Sequence, residues 1–243
     1  MSAIRLGTRA STLATTQSEM VAGLLRSEGL DVNLTTITTH GDTSTASLAA
    51  MGGIGVFASA IRAALLEGEA DIAVHSFKDL PTGRPLGLAI GAVPARADPR
   101  DALVARDGLT LHDLPQEASV GTGSPRRAAQ LLAVRPDLTI VDIRGNVDTR
   151  LGRVKGLGRY AKNGGKEDLD AVVLAASGLA RLGHSGAVTE FLDPSVVLPA
   201  PAQGALAVEC RTADSRHGKL AKALARIDAV SYTHLRAHET DSY

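Results

Sequence analysis

The stretch His75-Ser76-Phe77-Lys78-Asp79-Leu80-Pro81 follows directly on an apolar run, Asp71-Ile72-Ala73-Val74, that reads as a strand. Open α/β sheets place ligand-binding groups at the carboxyl ends of their strands. A carboxylate there, beside a lysine, can donate or accept a proton or stabilise a cation. Asp79 can also be read as a residue that merely opens a turn before Pro81, and spacing alone leaves both readings standing.

A second kind of chemistry is suggested by arginine. The chain has 20 Arg against six Lys, and between Gly121 and Tyr160 seven Arg and one Lys face only three Asp. Arginine's planar fork pairs two-pronged with carboxylates, which lysine cannot do. In Gly121-Thr122-Gly123-Ser124-Pro125-Arg126-Arg127, small residues and hydroxyls precede paired arginines at a predicted helix start, where backbone N–H groups favour an anion. Arg144-Gly145-Asn146-Val147-Asp148-Thr149-Arg150 repeats the theme, and Arg5 and Arg9 flank a third strand–helix turn. Any one of these arginines can be a solvated surface charge. Three such turns after three strands point to a polycarboxylate ligand. Arg62 and Arg226 fall by pattern on helix surfaces instead.

Other candidates are weaker. Arg126 stands where a dinucleotide fingerprint needs its third glycine, and no Gly-Lys-Ser/Thr follows to make a Walker loop. His234 and His238 have the i, i+4 spacing of a metal pair but no third ligand, so no metal is expected. Cys210 reads as a small buried residue at a strand end. No Ser-His-Asp arrangement follows from spacing.

Composition narrows the class. The 243 residues are 44% apolar but hold no Trp, three Phe and three Tyr, so the cores must be mainly aliphatic. Zero net charge argues against a polyanion binder such as a nucleic-acid protein. A single cysteine excludes a disulfide framework. The start lacks an apolar signal region and no run approaches the roughly 18 apolar residues of a membrane span. The expectation is a cytoplasmic protein without nucleic-acid or membrane partners.

The elements that must position these groups alternate. Strands are predicted at residues 4–6, 32–37, 71–74 and 86–93, with helices from Ser11 (Leu13, Met20, Val21, Leu24 and Leu25 on one face) and over 56–67. After the turn Asp98-Pro99-Arg100-Asp101 the pattern restarts: a strand at 119–120, a helix from Pro125 to Val134, a strand at 139–142, a helix over 146–154 and a buried strand at 171–175. Residues 156–166 read as an exposed loop. Late strands are predicted at 196–198 and 205–209, and a last helix carries Leu220, Leu224 and Ile227. Two βα sets joined by a hinge give an α/β protein of two lobes with a cleft between them. Domain 1 is expected at 1–97 plus 203–228, domain 2 at 98–202, and 229–243 reads as a tail foreign to both.

Taken in order, these motifs resemble the porphobilinogen deaminase (hydroxymethylbilane synthase) family. The matching pieces are Arg5 to Ser11, Asp71 to Pro81, Asp98 to Ala102, Gly121 to Arg127, Arg144 to Leu151, Gly178 to Gly183, Leu198-Pro199-Ala200, Gln203-Gly204-Ala205 and Glu209-Cys210-Arg211, over roughly residues 4 to 228. The resemblance implies two lobes like those of periplasmic binding proteins, and a third α/β domain that this chain would lack. It implies a transferase of tetrapyrrole and heme biosynthesis, acting as a monomer, that condenses four porphobilinogen units with loss of ammonia. The growing chain would sit on a dipyrromethane cofactor held by a cysteine of the third domain, a cysteine expected to be absent here. By motif match, Asp79 would assist deamination and stabilise the cation. Arg9, Ser11, Lys78, Thr122, Ser124, Arg126, Arg127, Arg144, Arg150 and Arg181 would hold acetate and propionate groups of cofactor and substrate. Departures are Thr12 where the family has proline, a longer 156–166 loop, and Gly52 to Phe57 without a lysine that some members carry. Without its third domain the chain is expected to be inactive. The alternative is a two-lobed carboxylate-binding protein without catalysis, which would not need Asp79 beside Lys78; a nucleotide-binding regulator is disfavoured by the missing glycine and Walker lysine.

Overall fold

The computed structural model describes residues 3–37, 58–83 and 85–229. The glycine-rich segment Gly52 to Phe57, the start of the helix expected over 56–67, the pair His234 and His238, and all but the first residue of the expected tail lie outside the described residues. The described chain forms two compact units, one running up to Ala97 and resuming at Ala205, the other Asp98–Gly204.

In the first unit, β1 (Ile4–Thr8), β2 (Val32–Thr36), β3 (Ile72–Ser76), β4 (Leu88–Ala92) and β10 (Leu206–Arg211) form one sheet in the order β2-β1-β3-β10-β4. β1 runs parallel to β2 and β3, whereas β10 returns antiparallel to both its neighbours. Helix α1 (Thr12–Ser27) starts at the N-cap Ser11, whose Oγ accepts from the Ala14 N–H at 3.4 Å. It stops at Gly29, whose φ of 80° lets Leu30 N–H reach back to the Leu25 carbonyl at 3.2 Å. Helices α2 (Ser59–Leu66) and α6 (Gly218–Ile227) complete the unit. Leu6, Val21, Leu25, Ile72, Val208 and Leu224 pack as its main core.

The apolar stripe expected on α1 is displaced. Met20 and Leu24 are 47% and 43% exposed, while Gln17 and Ser18 are buried beside Val21, Ala22 and Leu25. Positions 20, 21, 24 and 25 span more than one face of a helix, and the sheet takes only the 21/25 side. Gln17 is tolerated inside because its amide bonds the Ser76 hydroxyl at 3.0 Å.

The second unit repeats the plan with β5 (Asp101–Ala105), β6 (Ser119–Gly121), β7 (Thr139–Val141), β8 (Ala171–Ala175) and β9 (Glu190–Phe191), in the order β7-β6-β8-β5-β9. β6 is parallel to β7 and β8, and β5 is antiparallel to β8. β5 and β8 are buried on both faces: Leu103 and Val173 join one core, Val104, Val172 and Leu174 the other. Helix α3 (Pro125–Val134) carries Pro125 in its first turn after the N-cap Ser124, as expected, while α4 (Val147–Leu151) is shorter than the run from Asn146 to Val154. Helix α5 (Ala176–Arg181) follows β8 directly.

Three expectations need correction. Val196-Val197-Leu198 is a turn, not a strand: Val196 and Val197 N–H both donate to the Asp193 carbonyl at 2.9 Å, and Leu198 is 63% exposed. Asp101 is no hinge residue but the fully buried start of β5. Gln203 and Gly204, expected with the first unit, belong to the second, where the Gln203 amide donates to Asp101 Oδ1 at 2.7 Å and to the Pro99 carbonyl at 2.8 Å. No helix among the described residues is long and apolar enough to cross a membrane.

Candidate active site

Asp79 closes a single 3-10 turn, Phe77–Asp79, at the carboxyl end of β3. The strand is buried up to His75, so the turn is the first point at which the chain emerges. Phe77 N–H donates to the Ala205 carbonyl at 3.1 Å, Ser76 is held by Gln17, and Leu80 is buried against Ala58 and Ala207. Both ends of the turn are therefore anchored, while the Asp79 side chain is exposed and pairs with no group among the described residues. Lys78 is half-buried on the same turn.

Arg9 and Ser11 leave the sheet at the end of β1, the parallel neighbour of β3, and so lie at the same edge as Lys78 and Asp79. The Ser11 hydroxyl uses a lone pair to cap α1, which leaves its proton for a ligand.

In the second unit, the turns after β6 and β7 abut. Thr122 N–H donates to the Val141 carbonyl at 3.0 Å, and a Cβ placed on Gly123 would stand 2.8 Å from the Ile143 carbonyl oxygen. A glycine is needed there because the other turn is so near. Thr122 and Ser124 are thereby set beside the turn that carries Arg144. Thr122 Oγ1 accepts from Ser124 N–H at 3.2 Å, and Ser124 Oγ from Arg127 N–H at 3.4 Å. Arg144 is exposed; Arg150, on α4, donates to the Gly145 carbonyl at 2.9 Å. Arg181 reaches the Gly204 carbonyl at 2.7 Å, but its Nε is buried without a partner among the described residues, and burial holds its pKa below the usual guanidinium value.

Two expected ligand arginines are engaged in a different way. Arg127 is 7% exposed and donates to Asp101 Oδ1 at 2.7 Å and to the Val173 carbonyl at 3.2 Å. Arg126 donates to Asp101 Oδ2 at 2.8 Å and to the Leu198 carbonyl. Burial opposes ionisation of Asp101, yet the arginines and Gln203 together hold its carboxyl below the ordinary range. Sequence reasoning missed Asp101 and Gln203 as the anchor of this turn. The available signal was a lone Asp opening the apolar run Ala102 to Ala105, which no strand buries without a cation. The surface assignment of Arg62 is also wrong: its side chain is 15% exposed and binds Glu209. Arg226 is 67% exposed and pairs with Glu28 at 2.8 Å.

The donors fit a polycarboxylate. Cys210 does not fit a tether: it is fully buried in β10, and burial pushes its thiol up to about 11, so it holds little thiolate near neutral pH.

Solved structures similar to the chain share its fold. A nutrient-binding protein from Burkholderia cenocepacia bound to methionine has a TM-score of 0.52 at 16% identity, with 91% of each chain covered. A periplasmic substrate-binding protein of an ABC transporter from Coxiella burnetii has a TM-score of 0.50 at 17% identity, covering 97% of this chain and 96% of that one. The two α/β units have the fold of periplasmic-binding-protein lobes. A sequence model described as "Porphobilinogen deaminase, dipyromethane cofactor binding domain" matches residues 4–219, and the chain belongs to the porphobilinogen deaminase family. It is 58% identical over 228 residues to the porphobilinogen deaminase of Leifsonia xyli, which covers 93% of this chain and 66% of that protein. It is 59% identical over 221 residues to that of Micrococcus luteus (88% and 59%), and 57% identical over 211 residues to that of Thermobifida fusca (86% and 63%). The chain thus spans between 59% and 66% of the length of these relatives.

Proposed function

We propose that the chain carries the substrate- and cofactor-holding groups and the acid of a hydroxymethylbilane synthase, a cytoplasmic transferase acting as a monomer. The reaction is the head-to-tail condensation of porphobilinogen units with loss of ammonia. The observation that carries this reading is Asp79: an exposed carboxylate at a strand end, on a turn anchored at both ends, without a partner among the described residues. A carboxylate with no cation partner among the described residues is available to the aminomethyl group of porphobilinogen. There its protonated form would give its proton to the departing amine, and the carboxylate so formed would stabilise the positive charge left on the pyrrole.

The acetate and propionate groups call for donors rather than acids. Arg9, Ser11 and Lys78 would supply them from the first unit, and Thr122, Ser124, Arg144, Arg150 and Arg181 from the second. Arg126 and Arg127 support the second set, since Asp101 holds them at the start of α3. Dipyrromethane, when bound, supplies a pyrrole nucleophile and further carboxylates for the same donors.

Arg144→Leu, in a full-length protein carrying this sequence, is expected to impair cofactor assembly or chain growth by roughly 2–5 kcal/mol, the cost of stripping one partner from a desolvated charge pair. Arg226→Leu, whose charge stands in solvent beside Glu28, should leave the rate within about twofold, as exposed pairs are worth little. Steady-state bilane formation by the two variants is the test, and equal losses would argue against an arginine-lined binding surface.

The 243-residue chain alone should keep the mass of bare polypeptide after incubation with porphobilinogen, because its one thiol is buried and protonated. Intact-mass spectrometry checks this. An increase that disappears in Cys210→Ser would make Cys210 a tether after all.

A further inference from the structure

Glu209 is a carboxylate in the middle of a sheet. It is 1% exposed, on β10, between β3 and β4. Burying a charge is costly, and a buried ion pair is commonly no more stable than an apolar substitute of the same size. Stability alone is therefore a poor reason for Glu209, and its contacts suggest another. Arg62 on α2 clamps it, with Nε 3.0 Å from both carboxylate oxygens and a second nitrogen 2.9 Å from Oε1. On the other side, His75 Nε2 lies 3.2 Å from Oε2, an ionic approach without hydrogen-bond alignment, its ring 8% exposed. His75 pairs with Ala207 and Glu209 with Ala73, so the two side chains are diagonal neighbours on one face of the sheet. The register of β10 against β4 shifts between Val208 and Glu209, an irregularity of the kind that re-aims a side chain.

His75 is followed, after Ser76, by the Phe77–Asp79 turn. A cavity of about 300 Å³ lies against this turn, lined by Phe77 and Leu80 on one side and by Arg62 and Glu209 on another. Packing among the described residues therefore leaves space on that flank of the turn, and Arg62 and Glu209 line the same space.

We infer that Glu209 is a positioning residue: held by Arg62 and touching His75, it fixes the end of β3 and so the direction in which Lys78 and Asp79 leave the sheet. The inference rests on the reading of Asp79 as the acid. A displacement of the acid by about 1 Å can cost on the order of a hundredfold in rate while substrate binding is unaffected. No carboxylate-holding residue touches Glu209, and Lys78, which shares the turn with Asp79, is one donor among several, so loss of Glu209 should appear chiefly in kcat.

The test compares Glu209→Gln, Arg62→Gln, Arg62→Lys and Asp79→Asn in a full-length protein carrying this sequence, with rates expressed per mole of folded enzyme. Glu209→Gln and Arg62→Gln should each lower kcat by roughly 10- to 100-fold with KM for porphobilinogen within about twofold, and Arg62→Lys should recover most of the loss. Undiminished kcat in folded Glu209→Gln would overturn the inference. Where that variant does not fold, undiminished kcat in Arg62→Gln, or a loss that Arg62→Lys does not relieve, would overturn it equally. Asp79→Asn separates the two claims. Full activity there rejects the acid itself, whereas loss there beside full activity in Glu209→Gln rejects only the positioning role.

Discussion

Asp79→Asn, in a full-length protein carrying this sequence, should fold as the parent does and lose turnover by about 10²–10⁴-fold, the loss that follows removal of a positioned acid–base group. Folding is safe because the side chain is exposed and contributes no hydrogen bond among the described residues; the turn is held by Ser76, Phe77 and Leu80 instead. The amide keeps the shape of the carboxyl but can neither give up a proton to the leaving amine nor balance a cation. On the proposed reading other residues hold the carboxylates of porphobilinogen, so it should still bind and the fall should lie in kcat. Stopped-flow or steady-state measurement of ammonia release checks this. Near-normal turnover would return Asp79 to the role of a turn residue before Pro81.

Asp101→Ala should be the most destabilising single change in the second unit, by about 3–5 kcal/mol, because it leaves buried cations without their counter-charge. Asp101 is fully buried and takes Arg126, Arg127 and the Gln203 amide at 2.7–2.8 Å. Arg127 is itself buried, 7% exposed, so its charge depends on Asp101. The same carboxylate gives an acid dependence. Its pKa in the folded chain lies below the ordinary carboxylate value. The stability it adds is therefore present above the unfolded pKa of about 3.9 and is lost as pH falls through the folded value. Urea unfolding at neutral pH, and again toward pH 3, measures both effects. A change of less than about 1 kcal/mol in Asp101→Ala would mean that the arginines find water or other acceptors.

The elements most legible in the sequence were those whose local signals agreed. Ser124 and Pro125 marked the start of α3, and the β-branched run Ala171 to Ala175 marked a strand buried on both faces. Asp79 was placed at a strand end because an apolar run stopped there. What periodicity does not reveal is burial of a polar group by a partner far along the chain. Asp101 meets Arg126 25 residues away, and Glu209 meets Arg62 at a separation of 147. The lone Asp before Ala102 hints at burial but not at its partners, and Arg62 leaves no local trace, so Asp101 read as a hinge and Arg62 as surface. Gln17 was hidden in the same way, since its buried position is made tolerable only by Ser76, 59 residues on. At 196–198 the error ran in the opposite direction. Three apolar residues suggested a strand, but the Asp193 carbonyl draws the N–H groups of Val196 and Val197 into a turn, Leu198 N–H turns to Gln130, and only Val197 is fully buried.

The central claim is that the chain serves a condensation and not mere capture of a carboxylate. The most direct measurement is ammonia released against porphobilinogen consumed by a full-length protein carrying this sequence, followed with the appearance of bilane. One ammonia per porphobilinogen consumed, with bilane formed in step and both lost in Asp79→Asn, is the expected result. Saturable binding of porphobilinogen with no ammonia released would contradict it and leave a carboxylate-binding protein in its place.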